Sequence, residues 1–427
     1  MRASPALPRA DLDELLRLRL RPGLAGTVLA DRRATIVLDA ADSGVWTVEL
    51  ESGRGRARRG AAPHPHLRVA SSTDVLAGIA SGRTSGVHAF LDGRLVVRGD
   101  LALALQLDGL FHAHPDRDPH LPRALEVEAM GVRTRYLEAG PADAPPVVLL
   151  HGLGATNASM LPVLADLAAD HRVLAPDLPG FGASDAPSAP YNPAWFAAWA
   201  EEFQRATGSR PAVLIGNSLG GRISLECGLA HPQSVRALVL LTPSPAFRRL
   251  RQYVPIVRMV TPRVARLPVL TSHRMAVEGI RMMFSDPDRL PDSWYDAAAD
   301  ESLRVLADPR HRVALFSAAR QIYLEDAYGR SGFWQRLPGL APPALFVWGD
   351  RDRLVPSSFA RHVASALPGA GSVVLEDCGH VPQFEHPEDT MAMVRGFLEQ
   401  LARVEREREL RSGGGKGLSE VGRAGPR

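Results

Sequence analysis

At 427 residues the chain exceeds one ordinary core, which predicts two folded units plus tails. A hydrophobic content of 45% against 23% charged residues excludes a disordered chain, and no run approaches the ~20 apolar residues of a membrane span. The net charge of +3 is small, and it is carried by arginines scattered through every segment, with Lys416 the sole lysine, so it points to genome composition and not to nucleic acid.

Residues 1–20 carry charge on both sides of their leucines and lack an apolar h-region, which predicts an amphipathic helix or frayed arm and no signal peptide. Ala34–Ala40 and Val45–Leu50 are short, β-branched runs of strand type. Arg54, Arg56, Arg58 and Arg59 follow; they read as a solvated strand or loop, with contact to anionic lipid headgroups as the other reading. Ser71, Ser72, Thr73 and Asp74 offer N-cap chemistry ahead of a helix that Gly82 stops. Residues 87–100 predict two apolar-alternating strands joined by a hairpin turn at Asp92-Gly93. Residues 101–111 close the unit as a largely buried helix.

This succession resembles the sterol-carrier-protein-2 family over about a quarter of the chain. The matching features are the strand Val45–Leu50, the helix from Asp74 to Gly82, and the hairpin leading to Gly99-Asp100 before a last helix. The resemblance implies an apolar tunnel for an acyl chain or sterol. The other reading is that this copy only packs against its neighbour.

Residues 1–111 are therefore expected as a small α+β domain, 112–124 as a His-, Asp- and Pro-rich linker, 125–402 as the large unit, and 403–427 as a flexible tail, Gly-rich from Ser412. His64, His66, His88, His112, His114 and His120 match no metal spacing and read as loop histidines; no metal and no cofactor is expected. Cys227 and Cys378 read as two buried thiols in a reducing compartment, hence a cytoplasmic protein.

The large unit alternates strand and helix in the manner of a mainly parallel sheet. Strands are predicted at Val147–Leu150, Val173–Ala175, Ala212–Ile215, Ala237–Leu241, Ala344–Trp348 and Val373–Leu375, as continuous apolar runs covered on both faces. Helices are predicted at Trp195–Ala206 and Leu219–Ala230. From about 243 to 340 the rhythm breaks into a long, helical, proline-interrupted stretch that reads as a cap, with Met275, Met282 and Met283 near its middle and Arg248, Arg249, Tyr323 and Trp334 as candidates for a pocket lining.

Four motifs carry the chemistry. Gly216-Asn217-Ser218-Leu219-Gly220 follows a strand and opens a helix, the setting in which glycines allow a turn that exposes a serine hydroxyl. His151-Gly152-Leu153-Gly154 follows an earlier strand, and the N–H groups of Leu153 and Leu219 are assigned to an oxyanion hole. Asp350 and Asp352 follow the strand Ala344–Trp348, and His380 follows the strand Val373–Leu375. A hydroxyl is a poor nucleophile at neutral pH, so it needs a histidine to take its proton and a carboxylate to orient that histidine.

The order Ser, Asp, His, with the loop from Asp177 to Ser184, resembles the α/β-hydrolase fold family. The resemblance implies Ser218 as nucleophile, His380 as base and Asp352 as the orienting acid, with Asp350 as the competing acid. It also implies that His151 braces its loop, while His386 is read as capping or packing beside the last helix. The expected activity is hydrolysis of hydrophobic or lipid-like carboxylic esters through an acyl-enzyme. One alternative is a carbon–carbon bond hydrolase of the ring-cleavage-product type, although those typically carry Trp where this chain has Val381. The other is a lipid-binding protein with an idle hydrolase half.

Overall fold

The computed structural model describes residues 12, 13, 16, 20, 21, 23–111, 118, 120–245 and 262–413. Most of the N-terminal arm, His112, His114, Arg248, Arg249 and the tail beyond 413 lie outside them.

The chain forms two sheets. The first contains β1 (Ala34–Ala40), β2 (Gly44–Glu51), β3 (Arg54–Arg59), β4 (Leu67–Ser71) and β5 (Val96–Gly99) in the order β3-β2-β1-β4-β5. β1 pairs antiparallel with β2 and parallel with β4. Ile36, Leu38, Trp46, Val48 and Leu50 are buried in the core on its inner side. The arginine-rich segment is β3, an edge strand whose arginines all face solvent; such charge guards an edge against unwanted pairing.

The helix after Ser71 forms as expected. α1 (Thr73–Ser81) is capped by Ser72, whose side chain accepts the Val75 N–H, and it ends at Gly82 with φ 71°. The hairpin expected over 87–100 does not form. Residues 86–91 instead make α2 (Gly86–Leu91), capped by Ser85 accepting the His88 N–H, and only β5 is a strand. β5 pairs with β4 and not with the segment before it. The reason is that Val87, Phe90 and Leu91 also fit helical spacing, and over six residues the two periods are not separable. Asp92 and Gly93 end a helix here, Gly93 at φ 71°. The closing helix is broken into α3 (Leu101–Ala104) and a 3-10 turn at Leu107–Leu110, with Leu101, Leu103, Leu107 and Leu110 buried as expected.

The second sheet contains β6 (Arg123–Ala129), β7 (Val132–Ala139), β8 (Pro146–Leu150), β9 (Arg172–Pro176), β10 (Ala212–Asn217), β11 (Val235–Leu241), β12 (Ala344–Gly349) and β13 (Gly371–Leu375), in the order β13-β12-β11-β10-β8-β9-β7-β6. β8 to β13 are the six predicted strands and run parallel; β6 and β7 are an unpredicted antiparallel hairpin at one edge. β8, β10, β11 and β12 are covered on both faces, but β13 is the other edge, and Val373 and Val374 are exposed there.

Helices flank this sheet: α4 (Leu161–Leu167), α5 (Pro193–Thr207) and α6 (Leu219–Ala230) before the cap. The cap lies between β11 and β12 and is helical, with α7 (Pro262–Ala265), α8 (His273–Arg281), α9 (Asp292–Ala307), α10 (Pro309–Leu324) and α11 (Phe333–Arg336). α12 (Phe359–Ala366), α13 (Pro382–Glu385) and α14 (Pro387–Gly413) complete the chain. Among the described residues no helix is long and apolar enough to cross a membrane.

The cap is anchored on both sides. Arg222 on α6 is 1% exposed, donates to Glu226 at 2.9 Å and to Glu325 at the end of α10, and lies 4.5 Å from the Phe333 ring of α11. On the other side Arg304 of α9 lies 3.5 Å from Asp100, the N-cap of α3, so the cap also grips the first sheet's unit.

Candidate active site

Ser218 sits between β10 and α6 with φ 54° and ψ −113°, a conformation that costs of order 1–3 kcal/mol for a residue with a side chain. The surrounding backbone imposes it. Ser218 N–H donates to Leu241 O at 3.0 Å, and its carbonyl accepts from Arg222 and Ser244 N–H groups at 3.0 Å each. The turn has no room for side chains at its glycines: a Cβ on Gly216 would lie 2.4 Å from Gly220 backbone, and one on Gly220 would lie 1.9 Å from Leu150 O. Leu219 is the first residue of α6, so its N–H has no acceptor within the helix.

His380 follows β13, as expected. Its Nδ1–H donates to Asp352 Oδ2 at 2.7 Å, and both residues are buried. The other oxygen of Asp352 accepts the N–H groups of Leu354 and Val355 at 2.8 and 2.9 Å, which fixes the carboxylate. Asp350 is turned away: it is exposed and accepts the Cys378 N–H at 3.1 Å. His386 is outside this arrangement, at the C-terminus of α13, with Nε2 beside Asp377 O and Arg289.

His151 is fully buried, and it braces two loops. Its ring bonds Gly152 O at 2.8 Å through Nδ1 and accepts the Leu178 N–H at 2.9 Å through Nε2. Burial lowers its pKa to about 4, so it stays neutral. Asp177, in the neighbouring turn, accepts the Asn157 and Ala183 N–H groups at 2.8 Å each, and burial raises it to about 6.

Three contributors were not foreseen. Asn217, the variable position of the serine motif, donates to Leu241 O at 3.2 Å, to Thr242 at 3.0 Å and to His380 O at 3.1 Å, tying the serine turn to the histidine loop. Glu385 accepts from Ser285 N–H in the cap at 2.6 Å and from Gly379 N–H at 2.7 Å, and Met283 O accepts the His380 N–H at 2.7 Å. The third is the first sheet's unit itself: Phe90 and Leu101 form part of the cavity wall over Ser218. An isolated acidic residue or a leucine in a helical stretch gave no signal of these roles.

Ser218, His380, Gly152, Leu153 and Gly154 line one cavity of about 360 Å³. The cap supplies Met283, Phe284, Trp294 and Tyr323 to its wall. The cap candidate Trp334 is buried against Phe359, outside the cavity; Met275 and Met282 are exposed and also outside it. Among the described residues the lining holds no arginine or lysine, and its one carboxylate is Glu301, which Arg304 pairs at 2.6 Å. Among the described residues no cluster could hold a metal. Cys227 and Cys378 are free and buried, and burial pushes both thiols up.

Comparison with known proteins identifies both units. A family model described as SCP-2 sterol transfer family matches residues 12–112, and one described as alpha/beta hydrolase fold matches residues 145–387. The 2-hydroxy-6-oxo-6-(2'-aminophenyl)hexa-2,4-dienoic acid hydrolase of Metapseudomonas resinovorans is 28% identical over 66% of this chain and 92% of its own length. The pimeloyl-[acyl-carrier protein] methyl ester esterase of Aeromonas hydrophila is 29% identical over 60% of this chain and 96% of its own. The crystal structure of a membrane phospholipase A, a bacterial virulence factor, superposes with a TM-score of 0.55 at 29% identity over 66% of this chain and 87% of its own. The chain carries an N-terminal sterol-carrier unit and belongs to the alpha/beta hydrolase fold family.

Proposed function

We propose that the protein is a serine hydrolase that cleaves hydrophobic carboxylic esters. Ser218 attacks the ester carbonyl, His380 takes its proton through Nε2, and Asp352 holds the imidazole with Nδ1–H inward. The N–H groups of Leu153 and Leu219 receive the oxyanion. The leaving alcohol takes the proton back from His380, and water activated by the same base hydrolyses the acyl-enzyme. We divide the chain into an N-terminal unit over 1–111, a linker over 112–122, the hydrolase over 123–413, which takes in β6 and the whole of α14, and a tail over 414–427. The ligand class for the N-terminal unit is apolar, acyl or sterol. Two buried unpaired thiols fit a reducing compartment, and we place the protein in the cytoplasm.

The observation that carries the reading is an apolar cavity over Ser218 and His380 whose described lining has no cation. The carbon–carbon reading keeps the support of the similarity to the Metapseudomonas hydrolase.

Initial rates on p-nitrophenyl esters from acetate to palmitate, for wild type and Ser218→Ala, test the proposal. Ester turnover lost in the variant supports it. Turnover of a 2-hydroxy-6-oxo-dienoate and of no ester would replace it with the second reading.

A further inference from the structure

The first sheet and its helices enclose a second cavity of about 180 Å³. Its wall is mostly apolar, from residues such as Leu38, Val69, Leu76, Val97 and Leu107, with Arg21 and Asp108 as the charged groups on it. Phe90 and Leu101 line this cavity and also the one over Ser218. Two side chains therefore form a single-layer partition between them.

We propose that the second cavity is an annex of the active site that receives the far end of the substrate's acyl chain, with Phe90 and Leu101 setting access to it. The inference rests on the ester-hydrolase reading and specifies its substrate as a long-chain acyl ester. Size argues for an annex over a separate carrier site. Ligand pockets generally occupy about 300–1,000 Å³; the cavity over Ser218 reaches that range at 360 Å³ and the second, at 180 Å³, does not. A volume of that size suits the end of a chain, which narrows the acyl-or-sterol class given above to an acyl chain.

The partition is built to stay in register with the reacting serine. Leu101 begins α3, whose N-cap Asp100 pairs with Arg304 of the cap at 3.5 Å. Leu91, beside Phe90, packs on the cluster of Phe284, Tyr295, Val381 and Phe384 next to His380. Leu101 is 5% exposed and fixed, whereas Phe90 is half-buried at the end of the six-residue α2. Phe90 is thus the movable half. Both side chains are apolar, so parting them breaks no side-chain hydrogen bond, and an acyl chain replaces the lost contact with its own methylenes.

The test fills the annex from walls that do not border the Ser218 cavity. Ala104→Phe and Ile79→Phe each do so, from α3 and α1, in the full chain. Two readouts are taken: kcat/KM on p-nitrophenyl acetate and palmitate, and the Kd of palmitate by calorimetry. Two methylenes denied burial already amount to about a tenfold loss. The expected result is therefore acetate turnover within about twofold of wild type, palmitate-ester kcat/KM reduced at least tenfold, and weaker palmitate binding. Phe90→Ala should raise the palmitate-to-acetate ratio. Unchanged palmitate-ester turnover in both filled variants overturns the annex. Weaker palmitate binding with unchanged turnover also overturns it and makes the cavity an independent carrier site. If wild type cleaves no ester, the ester reading fails and the annex, which rests on it, fails with it; weaker palmitate binding in the filled variants would then mark an independent acyl site.

Discussion

Arg98 at the end of β5 and Asp300 on cap helix α9 are joined across the two units: Arg98 Nε donates to Asp300 Oδ2 at 2.8 Å, and the neighbouring Gly99 N–H donates to the same oxygen at 2.9 Å. The Arg98 side chain is 45% exposed, so the charge pairing itself contributes little. The backbone N–H matters more, because Asp300→Ala leaves it without its carboxylate, a loss of about 1–2 kcal/mol. We expect faster amide exchange at Gly99 and a higher KM for hydrophobic esters in this variant, since Leu101 lies two residues on. Unchanged exchange at Gly99 would show that the first sheet is held by other contacts.

Asp352 and Asp350 are two residues apart and have opposite surroundings. Asp352 meets His380 at 2.7 Å, while Asp350 serves the Cys378 N–H at 3.1 Å. Asp352→Asn should lower kcat by about 10³–10⁴ through loss of the correct imidazole tautomer. Asp350→Asn should stay within about tenfold of wild type, the effect of a lost loop contact. The reverse ranking would move the acid to Asp350.

Asn217 holds the serine turn to the histidine loop through one side-chain nitrogen with three acceptors, Leu241 O, Thr242 and His380 O. Asn217→Ala should lower kcat by roughly a hundredfold with little change in KM, because the binding walls remain and the alignment of Ser218 with His380 loosens. A rise in KM at constant kcat would assign Asn217 to substrate binding.

His151 and Asp177 pull stability in opposite directions with pH. Burial lowers His151 from 6.5 to about 4, so its contribution is whole above 6.5 and is lost as pH falls towards 4. Burial raises Asp177 from 3.8 to about 6, so its contribution is whole below 3.8 and is lost as pH rises through 6. Each amounts to about 3 kcal/mol at about 1.4 kcal/mol per pKa unit. Between pH 4 and 6 the slopes oppose one another. His151→Gln, which can still accept the Leu178 N–H, should uncover the Asp177 slope. Urea unfolding of that variant should then show stability falling from pH 4 to pH 6, and a stability rising with pH would refute the pairing.

Glycine positions differ sharply in what they tolerate. A Cβ at Gly220 lies 1.9 Å from Leu150 O, so Gly220→Ala must push α6 off the sheet. A loss above about 3 kcal/mol, or failure to yield soluble protein, is expected. Gly279 on the exposed helix α8 has nothing within 4 Å, and Gly279→Ala should stabilise by up to about 1 kcal/mol. Thermal melting of the two variants checks both statements.

The six parallel strands, α6 and the helical character of the cap were legible because continuous apolar runs and capping residues act locally. The Ser218, Asp352 and His380 loops were legible because each follows a strand whose run is unmistakable. The segment 87–100 was not, since a six-residue pattern fits both periods and only packing against β4 decides between them. β6 and β7 were also missed; their alternating residues border a segment with linker composition.

What the amino-acid order determined by itself was local: the turn at Ser218, the caps at Ser72 and Gly82, and the sequence of the chemical loops. Only the tertiary structure decided which carboxylate meets His380, that Asn217 and Glu385 hold the loops together, and that Phe90 and Leu101 wall the Ser218 cavity. Those contacts join residues up to hundreds of positions apart. Their partners are set by how sheets and cap pack, and spacing along the chain carries no record of that.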